Sequence, residues 1–295
     1  MGDYILSCCS TADLTEEQFK NLDINYTCFT FSLDGKQYVD DLGKSFPFDE
    51  FYKKVGAGAE VKTSQINAQQ FEEYFEKFLK EGKDILHLCL SSGISGVINS
   101  AHSAMAILKD KYPDRKIYIV DSLAASTGYG LLMDILSNMK KEGKTIDELY
   151  EWAEKNKLRI HHWFFTSDLT CLIRGGRVSK TAGFVGKLLN ICPLLNVSNE
   201  GKLVGREKVR GKKAVIDVTL NKMIENADDG LDYSNKCYIS CSACFEDAKE
   251  LANKIEEKFP NLKNKVVINS IGTVIGCHTG PGTVALFFVG KERVD

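Results

Sequence analysis

LCLSSGISGVINSAH, residues 88–102, runs from an apolar strand signal into a helix signal through a turn with three serines, two glycines and no charge. A strand that ends in such a turn and opens a helix gathers backbone N–H groups that lack intrahelical partners. That arrangement suits an anion. The unit also decides the fold, because it recurs. Upstream lies the strand DILHLCL (84–90), and before it AQQFEEYFEKFLK (68–80), with Phe71, Tyr74, Phe75, Phe78 and Leu79 on one helical face. Asn67 and Gln70 form a capping-box start for that helix. Downstream, helix 97–111 gathers Val97, Ala101, Ala104 and Leu108 on one side, the strand IYIVD (117–121) leads through SLAASTGYG to a helix ending near Lys141, and a helix over 145–156 follows.

Nearer the start, YILSCC (4–9) reads as a strand before a turn at Ser10–Asp13, NYTCFTFSL (25–33) as one alternating strand closed by Asp34-Gly35, and FPFDEFYKKV (46–55) as a short helix. Repeated strand–turn–helix units predict a mainly parallel sheet with helices on its faces, and ligands on such sheets bind beyond the carboxyl ends of the strands. SSGISG and SLAAST fall there. From Arg159 onward a second α/β unit is expected. It comprises the strand RIHHWFFTS (159–167), a short helix ended by Gly175-Gly176, and a segment 181–197 broken by Gly183, Gly186 and Pro193. A hairpin then leads into helix 212–226, followed by KCYISC (236–241), helix 246–258, KVVINS (265–270) and GTVALFFVG (282–290). The expected division is 1–158 and 159–295, in keeping with 295 residues exceeding one core.

A formal net charge of −2 offers no electrostatic reason to expect nucleic acid or an anionic membrane, and no apolar stretch approaches the length of a membrane span. Met1-Gly-Asp-Tyr leads straight into a strand signal without a signal-peptide pattern, and Leu6 stands where a myristoylation start needs Ser or Thr. Ten cysteines scattered through apolar runs fit reduced, buried thiols in a cytoplasmic protein. CSAC (241–244) has redox or half-zinc spacing but no second CxxC or HxxxH accompanies it, so no metal is expected.

Four stretches carry chemistry. SSGISG matches neither a nucleophile elbow nor a Walker phosphate loop, which leaves Ser95 as a helix cap or as an anion ligand with its neighbours. Thr63-Ser64-Gln65 offers hydroxyls ahead of a capped helix. IGCHTGPGTVALFF places His278 in a glycine-rich turn. CLIRGGRVSK places Arg174 and Arg177 around Gly-Gly, either as dipole partner and solvated cation or as a clamp on phosphate or carboxylate. The basic run Arg206–Lys213 reads as a solvated hairpin face. His87 reads as a satisfied core residue, His102 as a helix-face residue, and His161 and His162 as alternating across a strand. An enzyme reading, a serine hydrolase or acyltransferase with Ser95 as nucleophile, His278 as base and Asp121 as third member, stays open on spacing alone. A phosphate binder is disfavoured by the absence of lysine in SSGISG.

Taken together, CSTADLT, KTSQ, SSGISGVINSA, DSLAASTGYG, LIRGGRVS and IGCHTGPGTVALFF resemble the DegV family of fatty-acid-binding proteins over nearly the whole chain. The resemblance implies a Rossmann-like N-terminal α/β domain, a mixed-sheet α/β C-terminal domain, and a long-chain fatty acid such as palmitate, stearate or oleate buried between them. It implies a carrier with no turnover or cofactor of its own, which presents the acid to a separate fatty-acid kinase. Carried over, Thr63 and Ser95 resemble the hydroxyls on the carboxylate, with Ser64, Ser92, Gly93, Ile94, Gly96, Thr279 and Gly280 around them. His278 and Arg174 resemble residues at the pocket mouth that support the head group or the kinase encounter. Cys9 replaces the family's usual aspartate, Ile66 its proline after TSQ, and Cys277 a common threonine. Candidate tail-lining segments are the Phe71–Leu79 helix, otherwise plain core, and 181–195, which could serve as a lid.

Overall fold

The computed structural model describes residues 3–179 and 190–294. The first sheet is wholly parallel, in the order β2 (Ile24–Thr27), β1 (Tyr4–Cys9), β6 (Asp84–Cys89), β7 (Ile117–Asp121). Every residue of β1 and β6 is buried, as expected of strands covered on both faces. Its helices include α1 (Glu16–Asn21), α3 (Ala68–Lys80), α4 (Val97–Lys111), α5 (Thr127–Lys141) and α6 (Ile146–Asn156). The capping box of α3 is present, with Asn67 Oδ1 accepting from Gln70 N–H and Gln70 Oε1 from Asn67 N–H, both at 2.9 Å. Phe71, Phe75 and Leu79 are core, with Phe71 and Phe75 packed edge-on against His87, whose Nδ1 lies 2.9 Å from Ser7 Oγ.

The expected single strand 25–33 divides. β2 joins the parallel sheet, whereas β3 (Thr30–Leu33) joins an antiparallel sheet between β4 (Lys36–Val39) and β5 (Val61–Ser64), with α2 (Phe48–Gly56) following β4. The chain changes sheet at Phe29, whose N–H donates to Ser10 Oγ (3.2 Å) and whose carbonyl accepts from Asp40 N–H (3.0 Å). The hairpin at Asp34-Gly35 has φ of 50° and 82°, the double positive φ of a tight two-residue turn.

The second sheet is mixed, in the order β10 (Leu203–Arg210), β9 (Ile191–Val197), β8 (Ile160–Thr166), β13 (Thr283–Val289), β11 (Tyr238–Cys241), β12 (Val267–Ser270); only the β11–β12 pair is parallel. The remaining helices are α7 (Thr170–Arg174), α8 (Lys212–Asn226), α9 (Phe245–Lys258) and α10 (Thr273–Thr279). Pro193 does not break its segment as expected. It sits within β9 opposite Lys208, outside the residues that pair with β8, so its missing N–H forfeits little. Residues 180–189, with Gly183, Gly186 and most of the lid candidate, lie outside the described residues.

Helix α5 packs against β1 on one side and β8, β11 and β13 on the other. Its glycines permit this. A Cβ on Gly128 would come within 2.0 Å of His162 Nε2, and one on Gly130 within 2.8 Å of the Ala12 carbonyl oxygen. Asp134, fully buried in the same helix, accepts from Lys236 Nζ (2.7 Å) and the Tyr238 hydroxyl (2.6 Å), tying α5 to β11.

Candidate functional site

A cavity of about 190 Å³ lies between the SSGISG turn, β5, α10 and one face of the second sheet. That exceeds the roughly 150 Å³ of an apolar cavity able to take up benzene. Along β8 and β13 the register pairs Thr166 with Thr283, Phe164 with Ala285 and His162 with Phe287. Alternate residues share a face, so Thr283, Ala285, Phe287, Phe164 and His162 form one wall of the cavity. Leu172, Val197, Leu203, Val274 and Ile275 add to an apolar lining.

The polar residues are connected to one another. Thr63 Oγ1 is 3.0 Å from His278 Nε2, bringing together residues from β5 and α10. His278 Nδ1 is buried without a hydrogen-bond partner, and the ring lies against Gly175. Burial, aided by the Arg177 guanidinium, pushes the His278 pKa down to about 4, so the ring is neutral near pH 7. A buried orphan N–H costs more than a bare lone pair, which selects the tautomer with the proton on Nε2, donating to Thr63. The Thr63 O–H is then free to donate. Arg177 Nε donates to the Ile94 carbonyl (3.2 Å) and Nη1 to the Gly175 carbonyl (2.5 Å), joining α7 to the SSGISG turn.

Two details of that turn differ from expectation. Its amides are mostly engaged within the turn or by Asp121. Ser92 N–H donates to Asp121 Oδ1, Gly93 N–H to Ser91 Oγ, and those of Ile94 and Ser95 to the Ser91 carbonyl. Ser95 is not the N-cap, a position held by Gly96, but its Oγ accepts from Val97 N–H at 3.3 Å. Its hydroxyl hydrogen is therefore left to point outward. What the turn offers an anion is an O–H rather than a nest of N–H groups.

Of the anticipated residues, Thr63, Ile94, Ser95, His278 and Thr279 line the cavity together. Ser64, Ser92, Gly93, Gly96 and Gly280 support neighbouring backbone without lining it; a Cβ on Gly93 would come within 2.6 Å of the Glu200 carbonyl oxygen. Arg174 is exposed beside Cys171 Sγ (3.6 Å) and does not line the cavity, whereas Arg177 is half-buried and does. His278 lies on α10 rather than in a loop. Gln65, Ser126 and His162 also line the cavity; the first two lie in the TSQ and SLAAST stretches, whereas nothing in the sequence had marked His162 for the site. His162 Nδ1 donates to the Ile160 carbonyl (3.0 Å), burial drives its pKa well below the usual value, and Nε2 has no partner.

The hydrolase geometry is not assembled. His278 Nε2 is engaged with Thr63, no acid orients Nδ1, and Asp121 accepts from the Ser92 and Leu123 amides instead. Among the described residues no cluster of three or more His, Cys, Asp or Glu could hold a metal, and no helix is long and apolar enough to cross a membrane.

The model of the DegV family, a family of uncharacterised proteins, matches residues 9–291. This chain belongs to the DegV family. A DegV domain-containing protein of Clostridium perfringens is 41% identical over 296 residues, 99% of either chain. A solved DegV protein from Thermus thermophilus, described as fatty-acid-binding, superposes with a TM-score of 0.86 at 26% identity, over 98% of this chain and 100% of that one. A DegV lipid-binding protein from Thermotoga maritima gives 0.83 at 29% identity, over 99% and 100%. The α/β architecture, with one parallel and one mixed sheet, is thus that of DegV proteins, and the cavity lies on residues of the motifs that first suggested the family.

Proposed function

We propose that this DegV protein binds one long-chain fatty acid, such as palmitate, stearate or oleate, with its carboxylate on Thr63 and Ser95 and its chain along the β8–β13 wall. The observation that carries this reading is the pair of prepared hydroxyls. Each oxygen already accepts one protein donor, from His278 Nε2 and Val97 N–H, so each has its O–H to give to an acceptor. Two hydroxyl donors lining one mostly apolar cavity suit a carboxylate on an apolar chain. About 15 methylenes at roughly 0.8 kcal/mol each give about 12 kcal/mol before ordering costs, so the head group needs only to be satisfied and oriented. Arg177, held by two backbone carbonyls, adds positive charge without depending on the ligand for its own hydrogen bonds. Among the described residues no lysine lines the cavity, which spares the ligand a buried ammonium partner there.

The same reading makes the protein a carrier without turnover, divided at 1–158 and 159–295 with the ligand between the parts. It would present the acid to a fatty-acid kinase, as the family resemblance implies, with exposed Arg174 available to that partner. The test is mass spectrometry of an organic extract of the purified protein. A near-stoichiometric C14–C18 acid, lost in Thr63→Ala and Ser95→Ala, supports the reading. An empty extract, with no thermal stabilisation by palmitate or oleate, overturns it.

A further inference from the structure

After β13 the chain runs as a strap, residues 290–294, across the junction of the two halves. Gly290 N–H donates to the Arg159 carbonyl (2.8 Å) and Lys291 N–H to the Asn226 carbonyl (3.0 Å). His161 Nε2 lies 2.8 Å from the Lys291 carbonyl oxygen; burial brings the His161 pKa down to about 4, so the neutral ring carries its proton on Nε2 and donates it there. Arg293 N–H then donates to the Leu158 carbonyl (3.0 Å), and its side chain turns inward, 5% exposed, although Val294 beside it is 88% exposed. The guanidinium spreads over three carbonyls, with Nε on Leu158 (3.3 Å), Nη1 on Val197 (3.0 Å) and Nη2 on Leu123 (3.0 Å). A planar fork of fixed donors spans these positions where a single ammonium does not.

The carbonyls belong to different parts of the cavity's frame. Val197 ends β9 and lines the cavity. Leu123 lies in the loop between β7 and α5, two residues before Ala125, which lines the cavity from the first half of the chain. Leu123 has φ of +47°, a left-handed backbone that leucine seldom adopts. It is fixed there from both ends, with Asp121 Oδ1 accepting from its N–H (3.1 Å) and Arg293 donating to its carbonyl. The turn after β9 closes over the same place. A Cβ on Gly201 would come within 3.1 Å of Leu123 Cδ2, and the Ser91 hydroxyl donates to the Gly201 carbonyl (2.8 Å). One edge of the cavity is thus built from Leu90 and Ala125 of the first half and Val197 and Leu203 of the second, with Arg293 tied to both sides.

We propose that Arg293 pins this edge and that its release opens the route by which the acyl chain enters and leaves. The route rests on the fatty-acid reading; the opening of the edge does not. A contrast with the α10 edge singles this one out. There, Asp13 Oδ1 accepts from Gly272 N–H (3.0 Å), Asp40 Oδ1 from the Thr273 hydroxyl (2.6 Å), and the Ile271 carbonyl from the Tyr52 hydroxyl (2.7 Å), all of them buried groups on regular or tightly packed segments. The pin is carried instead by a strap without helix or strand, next to a residue in solvent. Local opening costs least where the backbone has few buried contacts. When the strap lifts, one side chain leaves Val197 and Leu123 together, and Leu123 loses one of the two ties that hold its left-handed backbone.

The experiment measures how fast the delipidated full-length protein takes up and releases cis-parinaric acid, a fluorescent fatty acid, with excess oleate as the chase. Arg293→Gln removes the fork, and Arg293→Lys keeps the charge but reaches fewer carbonyls. Uptake and release should both quicken, by about tenfold in Arg293→Gln and by less in Arg293→Lys, the scale of one charge-assisted hydrogen bond lost from the closed state. The Kd should change little, because entry and exit share the route. A Kd raised through release alone, with uptake unchanged, would make Arg293 an ordinary structural residue and overturn the proposal. Unchanged rates in a folded Arg293→Gln would do the same. Amide hydrogen exchange of the unaltered protein tests the edge without a variant. The amides of Leu123, Ser198 and Gly201 should exchange together and ahead of those of Gly276 and Gly280 at α10; the reverse order overturns the proposal, whether or not the variants fold. If the unaltered protein binds neither cis-parinaric acid nor oleate, the fatty-acid reading fails, while the exchange order still decides whether the edge held by Arg293 opens.

Discussion

Gly175→Ala tests the head-group arrangement without altering any atom that would touch a ligand. Gly175 has φ of −73°, which alanine adopts readily, so the backbone raises no objection. The side chain does. Its Cβ would lie 2.3 Å from His278 Nδ1, and relief to ordinary van der Waals contact requires the ring to retreat by about 1 Å. The Thr63–His278 bond, now 3.0 Å, would stretch beyond hydrogen-bond reach. Thr63 would then lose the donor that fixes which way its O–H points. Loss of one oriented hydrogen bond to an anion is worth about 1.5 kcal/mol, roughly a tenfold rise in the palmitate Kd. The assay is titration of delipidated protein, with a thermal melt beside it. Gly176→Ala is the control. Its φ of +71° makes alanine cost about 1–2 kcal/mol of stability, but no atom of the described residues lies within 4 Å of the new Cβ, so affinity should hold. If Gly175→Ala folds and binds palmitate as tightly as the parent, or if Gly176→Ala weakens binding equally, then His278 does not orient Thr63 and the reasoning fails.

Other outcomes follow from the same contacts. Thr63→Ser should retain most of the bound acid whereas Thr63→Ala loses it, because the hydroxyl and not the methyl is what the site needs; equal retention by both, measured in organic extracts, would remove Thr63 from the head-group site. His278 should stay neutral down to about pH 4, against 6.5 in an unfolded chain, so unfolding takes up a proton in that window and the stability owed to the neutral ring is lost as pH falls through it. An NMR titration of the His278 ring midpoint near 6.5 would contradict this, and His278→Gln should flatten the pH dependence of the melt between pH 6.5 and 4. Asp40→Ala should destabilise by about 3 kcal/mol, seen as a fall in Tm of several degrees, since Asp40 is buried and accepts from the Ser10 and Thr273 hydroxyls (2.7 and 2.6 Å), both of which would be left without that partner. A melt unchanged in Asp40→Ala would mean those donors find other partners.

How much of this was legible in the chain depended on the range of the interaction. Helix α3 could be read to the residue because its cap is a three-residue affair between Asn67 and Gln70 and its buried face repeats with the helical period. The parallel sheet followed from the repeated strand–turn–helix units, of which DILHLC with SSGISG and helix α4 is one. The split of 25–33 was invisible locally, because alternation continues through it; what divides it is Phe29 held by Ser10 and Asp40, a pairing of distant segments. Arg174 and Arg177 look equivalent in RGGR, and only the carbonyl of Ile94, 83 positions away, distinguishes them. Thr63 and His278 are 215 positions apart. Their meeting depends on α10 being anchored at its start, where Asp13 Oδ1 accepts from Gly272 N–H (3.0 Å) and Asp40 receives Thr273. Both carboxylates come from the first half of the chain and clamp a helix from the second. The chemistry of the site is therefore written in residue types that a reader can pick out, but its geometry is set by two buried carboxylates whose sequence surroundings give no sign of it.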